Sequence, residues 1–273
     1  MIPTTMRVAQ SLAVAAALLP GLTTAVSAEP ATSWDAVRSH LFGERQLADG
    51  RAVLALDAPA RAHDAAVVPM TIEALIPQTD ERYIETLYLV IDENPAPIAA
   101  VFHLHPTSGI ATIETRVRVN AYTPVHAVAE TSDGQLYVVE RFVKAAGGCS
   151  APALKDSEAA LADLGRMKVK QLTPFTPGDV QRAQLLIRHP NYTGMQTDAL
   201  TQYWIPPDYV TSVKIAYDGQ PVLEVEGDIS LSEDPSITFS YLPGAAGELT
   251  VEIEDYKGRS FEHAVSIAPE QAS

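Results

Sequence analysis

The sequence has very little cysteine and fewer basic residues than acidic ones. Cys149 is the single cysteine among 273 residues, so an internal disulfide is excluded. The 19 lysines and arginines are outnumbered by 34 aspartates and glutamates, which gives a net charge of −15 at neutral pH. A surface with this charge repels phosphate backbones and argues against nucleic-acid binding. No apolar run is long enough to predict a membrane span.

The first 28 residues have the pattern of a secretory signal peptide. Arg7 supplies the positive start, residues 11–19 (SLAVAAALL) form a short apolar stretch, and residues 26–28 (VSA) resemble a cleavage site. We expect cleavage before Glu29 and a mature protein in the periplasm or outside the cell. A membrane anchor is the alternative, but it requires about 20 apolar residues.

Short apolar or alternating stretches dominate the remaining chain and predict strands. In residues 113–119 (IETRVRV), strict alternation places Glu114, Arg116 and Arg118 on one face of a strand. Turn signals at 132–134 (SDG) and 218–219 (DG) predict hairpins. The predicted strands are 53–56, 67–76, 86–91, 98–104, 113–119, 125–130 and 135–143, followed by 184–187, 210–217, 222–225, 236–241, 249–253 and 261–267.

Two groups of such strands predict an all-β protein with two antiparallel β-sandwich domains. A short helix is expected at 34–42, and the Ala-, Leu- and Glu-rich residues 155–164 predict a second helix between the domains. We therefore assign 29–148 to the first domain, 149–166 to the linking segment and 167–273 to the second domain.

Cys149 lies in the stretch 147–152 (GGCSAP), which has few side chains to bury it. An odd thiol in an exported protein indicates intermolecular bonding or a reactive role, because such compartments are oxidising. Gly147 and Gly148 predict a flexible, accessible strap, and Lys144 or Lys155 is a candidate to stabilise the thiolate. The alternative is an inert, buried cysteine in a tight turn.

Other groups of residues in the sequence give weaker evidence for a functional site. A catalytic cysteine–histidine pair is conceivable, but the sequence pairs no histidine with Cys149. His103 and His105 share one face of a predicted strand and suggest a copper or zinc site without an identifiable third ligand, or else a solvent-facing pair. The charged residues 61–64 (RAHD) are expected to serve the backbone of a turn rather than a partner surface.

Several stretches together resemble a known family. The chain is similar to SoxY and SoxZ, the periplasmic sulfur-carrier pair of thiosulfate oxidation, joined into one polypeptide. It is most similar to the fused SoxYZ-like carriers associated with quinoprotein dehydrogenases. The stretches that carry the resemblance are 58–69, 114–120 and 147–152 in the first half and 189–194 and 226–235 in the second.

The resemblance implies that the two β-sandwich domains are immunoglobulin-like and packed together. It also implies a carrier rather than an enzyme. Cys149 would hold a substrate covalently, expected to be a sulfur species, and present it to periplasmic enzymes of a sulfur-oxidation or quinoprotein dehydrogenase system. Gly147 and Gly148 would form the supporting strap, and no cofactor or metal is implied. In the family's SoxY this motif ends the chain as a free arm, whereas here a second domain follows.

Two alternatives stay open at this point. The chain could be a periplasmic copper-binding or protein-interaction module without covalent cargo. A disulfide through Cys149 could also join two copies of the chain, since the thiol has no internal partner.

Overall fold

A computed structural model describes residue 1 and residues 33–152, 161–198 and 201–269. The predicted signal peptide at 1–28 and most of the predicted helix at 155–164 lie outside the described residues. From Ser33 onward, the described residues belong to a single unit, Thr32–Ser273. No described helix combines the length and apolar character that a membrane crossing requires.

Helix α1 (Ser33–Phe42) confirms the helix expected after the signal peptide. It packs on one face of the larger sheet, where Phe42 joins a small apolar cluster with Val128 and Leu136. The ring of Trp34 stacks on His126 with 3.9 Å between ring centroids. A single 3₁₀ turn, η1 (Pro106–Ser108), is also present.

Within the described part of the chain, the strands form one nine-stranded sheet and one six-stranded sheet. The nine-stranded sheet contains, in spatial order, β1 (Leu47–Asp49), β8 (Leu136–Val143), β7 (Thr123–Thr131), β4 (Ile84–Ile91), β5 (Ile98–Leu104), β12 (Gln220–Gly227), β11 (Val210–Tyr217), β14 (Gly247–Asp255) and β15 (Ser260–Ile267). The six-stranded sheet contains β2 (Leu54–Asp57), β3 (Val68–Ala74), β6 (Ile113–Val117), β13 (Ser236–Tyr241), β10 (Gln181–Ile187) and β9 (Met167–Gln171).

Both sheets continue from the first half of the chain into the second. Strand β5 pairs antiparallel with β12 from Leu104 opposite Leu223 to Ala100 opposite Gly227. In the other sheet, β6 meets β13 at Glu114 and Thr238. One apolar core runs between the sheets and includes side chains from both halves. The two halves are therefore joined edge to edge by backbone hydrogen bonds as well as by packing.

The strand pattern confirms the all-β sandwich class expected from the sequence. Every predicted strand exists, because alternating apolar residues bury one face of each strand against the common core. The sequence analysis missed β1 and β9, which are short and mostly exposed edge strands. Strand β1 also pairs in parallel with β8, so the sheet is not wholly antiparallel. At the hairpin between β11 and β12, Asp218 and Gly219 both have positive φ, as an Asp-Gly turn requires.

Candidate functional site: the thiol of Cys149

The segment after β8 folds back onto the first half of the chain. The amide of Gly147 donates to the carbonyl of Asn120 at 2.8 Å, and that of Gly148 donates to the carbonyl of Val119 at 3.0 Å. These are ordinary backbone hydrogen bonds, each typically worth about 0.5–1.5 kcal/mol net. The predicted flexible strap is therefore docked, and this expectation was wrong.

The strap comprises residues 147–150. Its two glycines, Gly147 and Gly148, are needed for different reasons. Gly147 has φ +78°, a left-handed conformation that suits glycine. Gly148 lies so close to its neighbours that an added Cβ would come within 2.0 Å of the carbonyl oxygen of Ala65 and 2.7 Å of that of Val119. Both obstructing atoms belong to the backbone and cannot rotate away. Glycine at position 148 thus permits close docking of the strap.

Docking buries the thiol completely. Cys149 is 0% exposed, although Gly147 before it and Ser150 after it are exposed. Burial raises the pKa of Cys149 to about 11, and the positive charge of Arg118 only partly opposes this shift. The thiol is therefore protonated and unreactive in this conformation, because the thiolate is the nucleophile.

The second half of the chain holds the strap from its other side. The hydroxyl of Thr193 donates to the carbonyl of Cys149 at 2.6 Å. The side-chain amide of Gln196 donates to the carbonyl of Ala151 at 2.9 Å. Both donors are buried. Sequence reasoning missed these two residues, since a threonine and a glutamine in a loop give no signal that they bind a distant backbone.

A network of buried charges fixes the loop that carries Thr193. His189 Nδ1 accepts the amide of Asn191 at 3.1 Å, and His189 Nε2 lies 3.6 Å from Asp208 and 3.5 Å from Asp255. Arg259 donates to both carboxylates, and Lys257 Nζ is 2.8 Å from Asp208. Burial lowers the pKa of His189.

This network is also a potential set of metal ligands, so its charge balance matters. Among the described residues, His189, Asp208 and Asp255 form the one group of three potential ligands close enough to share an ion. Their two negative charges are already balanced by Arg259 and Lys257. A divalent cation would add two more positive charges next to these cations, which is unfavourable. The arrangement fits a structural ion-pair network.

The histidine pair proposed from the sequence is separated from both sites. His103 Nε2 lies 2.9 Å from a carboxylate oxygen of Glu226. His105 precedes the 3₁₀ turn, where its amide donates to the hydroxyl of Ser108 at 3.2 Å. In the described part of the chain, neither histidine belongs to a group of three potential ligands, and neither does Cys149. The copper alternative therefore gains no support.

The charged stretch 61–64 has the backbone role expected of it. The carboxylate of Asp64 accepts the amide of Ala66 at 2.8 Å. Arg61 forms an isolated parallel bridge with Lys144, just before the strap. These bonds place the carbonyl of Ala65 directly under Gly148.

Among the described residues, the cation beside the thiol is Arg118 rather than the predicted Lys144. Lys144 is exposed, and Lys155 lies outside the described residues. Arg118 follows β6, is 1% exposed, and donates through Nη1 to the carbonyl of Gly148 at 3.2 Å. Strand alternation placed it with the partly exposed Glu114 and Arg116, but the segments at Gly148 and Asn191 cover this end of the strand.

Comparison with known proteins adds two family assignments. Residues 38–149 match the family model described as "Sulfur oxidation protein SoxY", and this match ends at Cys149. Residues 169–266 match the model described as "Sulphur oxidation protein SoxZ". No curated protein matches the chain.

Solved structures that match parts of the chain come from three kinds of protein. The sulfur carrier protein SoxY from Chlorobium limicola f thiosulfatophilum is 22% identical over 41% of this chain and 91% of its own, with a TM-score of 0.34. A superoxide reductase (neelaredoxin) from Ignicoccus hospitalis is 10% identical over 34% of this chain and 78% of its own, with a TM-score of 0.31. Fibronectin(III)-like modules of CbhA from Clostridium thermocellum are 11% identical over 80% and 94%, with a TM-score of 0.23.

We expect Gly148→Ala to lift the strap and expose the thiol. The added methyl group collides with backbone, so the substitution should destabilise the protein by about 1–3 kcal/mol and accelerate labelling of Cys149 by iodoacetamide. Gly244→Ala is the matched control, because nothing lies within 4 Å of its added Cβ. Equal labelling rates in the two variants would contradict the docked geometry.

Thr193→Val should also speed the labelling of Cys149, but without a collision. Loss of the hydroxyl leaves the carbonyl of Cys149 without this donor and favours the open strap, by roughly two- to tenfold in rate. Thr211→Val is the control, since its hydroxyl donates to the carbonyl of Glu254, outside the strap. A rate unchanged from wild type would show that this bond does not hold the strap closed.

The raised pKa of Cys149 predicts a loss of stability in alkali. Below the thiol's ordinary pKa of 9.0, both the folded and the unfolded chain keep the proton. Between pH 9 and about 11 the unfolded chain loses it first, so folding stability falls as pH rises. Relative to Cys149→Ala, the wild type should lose about 2–3 kcal/mol of unfolding free energy over this interval. Denaturant titrations from pH 8 to 11 measure this difference, and parallel curves would refute it.

Proposed function

This chain belongs to the SoxYZ-like sulfur-oxidation proteins, with a SoxY and a SoxZ domain in one polypeptide, and we propose that it is a covalent carrier. Cys149 holds a sulfur species while separate enzymes act on it. The observation that carries the proposal is the position of the single thiol. It lies at the end of the SoxY match, on a glycine-containing strap that both halves of the chain hold by a few hydrogen bonds.

The carrier works by alternating between the docked strap and an open one. In the docked state the thiol is buried and its pKa is raised to about 11 by burial, so cargo transfer requires opening. Opening breaks the bonds made by Gly147, Gly148, Thr193 and Gln196 and the bond from Arg118 to the carbonyl of Gly148. Their combined cost is on the order of 3–9 kcal/mol. A docking enzyme can supply this much from its own contacts.

Loading the thiol from a persulfide donor requires no oxidant. The thiolate of Cys149 attacks the outer sulfur of the donor, a new S–S bond forms, and the donor's own S–S bond breaks. The donor leaves as a thiolate, and the transferred sulfur keeps its proton. Electrons and atoms balance, and the reverse reaction unloads the carrier to an acceptor thiolate.

Location and partners follow from the same proposal. The signal-peptide pattern at 1–28 supports export to the periplasm. There the carrier would serve enzymes of a sulfur-oxidation or quinoprotein dehydrogenase system and needs no cofactor of its own. The second half would keep the strap closed until a partner arrives. A disulfide-linked dimer would require the same opening, because Cys149 is buried.

Intact-mass measurement on protein purified from its native host tests the carrier. We expect a mass increment that a reductant removes and that peptide mapping places on Cys149. Cys149→Ala should melt as a folded protein below pH 9 and lack both the increment and activity in the host's sulfur-oxidation pathway. Full pathway activity in Cys149→Ala would refute the proposal.

A further inference from the structure

Arg118 is a buried cation whose hydrogen bonds go to backbone carbonyls. Its Nη1 and Nη2 donate to the carbonyls of Gly148 and Asn191 over rather long distances, 3.2 and 3.4 Å. Its Nε is buried and has no hydrogen-bond acceptor among the described residues. Nor does any carboxylate there form a salt bridge with it. Burial lowers the pKa of Arg118, and the more distant Glu233, Cys149 and Asp64 oppose this shift.

Arg259, whose side chain is 31% exposed, shows a different arrangement. Arg259 binds the carboxylates of both Asp208 and Asp255. A buried charge that lacks such a partner is strongly destabilising. Arg118 therefore has unused capacity to stabilise negative charge, and it lies directly against the residue that precedes Cys149.

We infer that Arg118 is the specificity-determining residue of the Cys149 site and favours cargo that carries negative charge next to the sulfur. This inference rests on the proposed carrier function. A neutral thiol leaves the charge of Arg118 uncompensated, whereas an anionic adduct in the docked strap compensates it. A cationic adduct would place two positive charges together in a site with little water.

The charge preference can be measured with two methanethiosulfonate reagents of similar size, one ending in a sulfonate and one in a trimethylammonium group. With either reagent, the thiolate of Cys149 attacks the sulfenyl sulfur, a disulfide forms and methanesulfinate leaves. Both reactions require the same opening of the strap, which also frees Arg118 from the carbonyl of Gly148, so the ratio of the two rates reports the charge around the exposed thiol. The protein's net charge of −15 by itself favours the cationic reagent.

We expect the anionic-to-cationic rate ratio of the folded wild type to exceed that of the urea-unfolded protein by on the order of tenfold. Arg118→Met should lose this preference, and Arg118→Lys should keep most of it. Arg116→Met is the matched control, because it removes the same charge from the same strand two residues earlier. It should keep the wild-type ratio.

A second measurement needs no variant, in case Arg118→Met does not fold. Wild-type protein carrying the sulfonate adduct should melt at a higher temperature than protein carrying the trimethylammonium adduct. Equal melting temperatures, or an equal rate ratio in wild type and Arg118→Met, would overturn the role of Arg118 and leave the carrier function intact. If Cys149 reacts with neither reagent in the folded protein, both adducts are formed in urea before refolding, and the same comparison of melting temperatures decides the role of Arg118.

Discussion

The close approach of Gly148 to the backbone of Ala65 and Val119 is the contact on which the site depends. A Cβ at this position would come within 2.0 Å of a carbonyl oxygen, so the strap can dock only because residue 148 has no side chain. Docking in turn buries Cys149 and raises its pKa. The absence of a side chain at residue 148 therefore determines whether the thiol of Cys149 is buried or exposed.

The second half of the chain also holds the strap, and opening of the strap would not disturb the fold of this half. Thr193 and Gln196 bind carbonyls of the strap and its continuation, and the ion pairs around His189 hold their loop in place. Both sheets also continue from the first half into the second through strand pairing. The strap can therefore open by breaking a few local bonds, while the shared core of the two halves stays packed.

The buried charges of the molecule have two kinds of partner. This difference distinguishes the ion pairs around Asp208 and Asp255 from the site at Cys149. The ion pairs of Arg259 and Lys257 with Asp208 and Asp255 neutralise one another, which suits a structural role. Among the described residues, Arg118 instead has only backbone carbonyls as hydrogen-bond acceptors. An uncompensated buried charge weakens the fold, and this is the observation behind the proposed preference of Cys149 for anionic cargo.

The sequence by itself determined most of the strands and both hairpin turns, and it singled out Cys149 as the single cysteine, because these depend on local alternation, turn chemistry and composition. It also carried enough motif similarity to indicate the family. Only the tertiary structure decided that the strap is docked and that Arg118, on a strand face that looks polar, is buried. Burial at these positions depends on segments more than 25 residues apart in the chain, Gly148 and Asn191 against Arg118. The local sequence pattern does not reveal such contacts, because they form only when the two halves of the chain cover the end of strand β6.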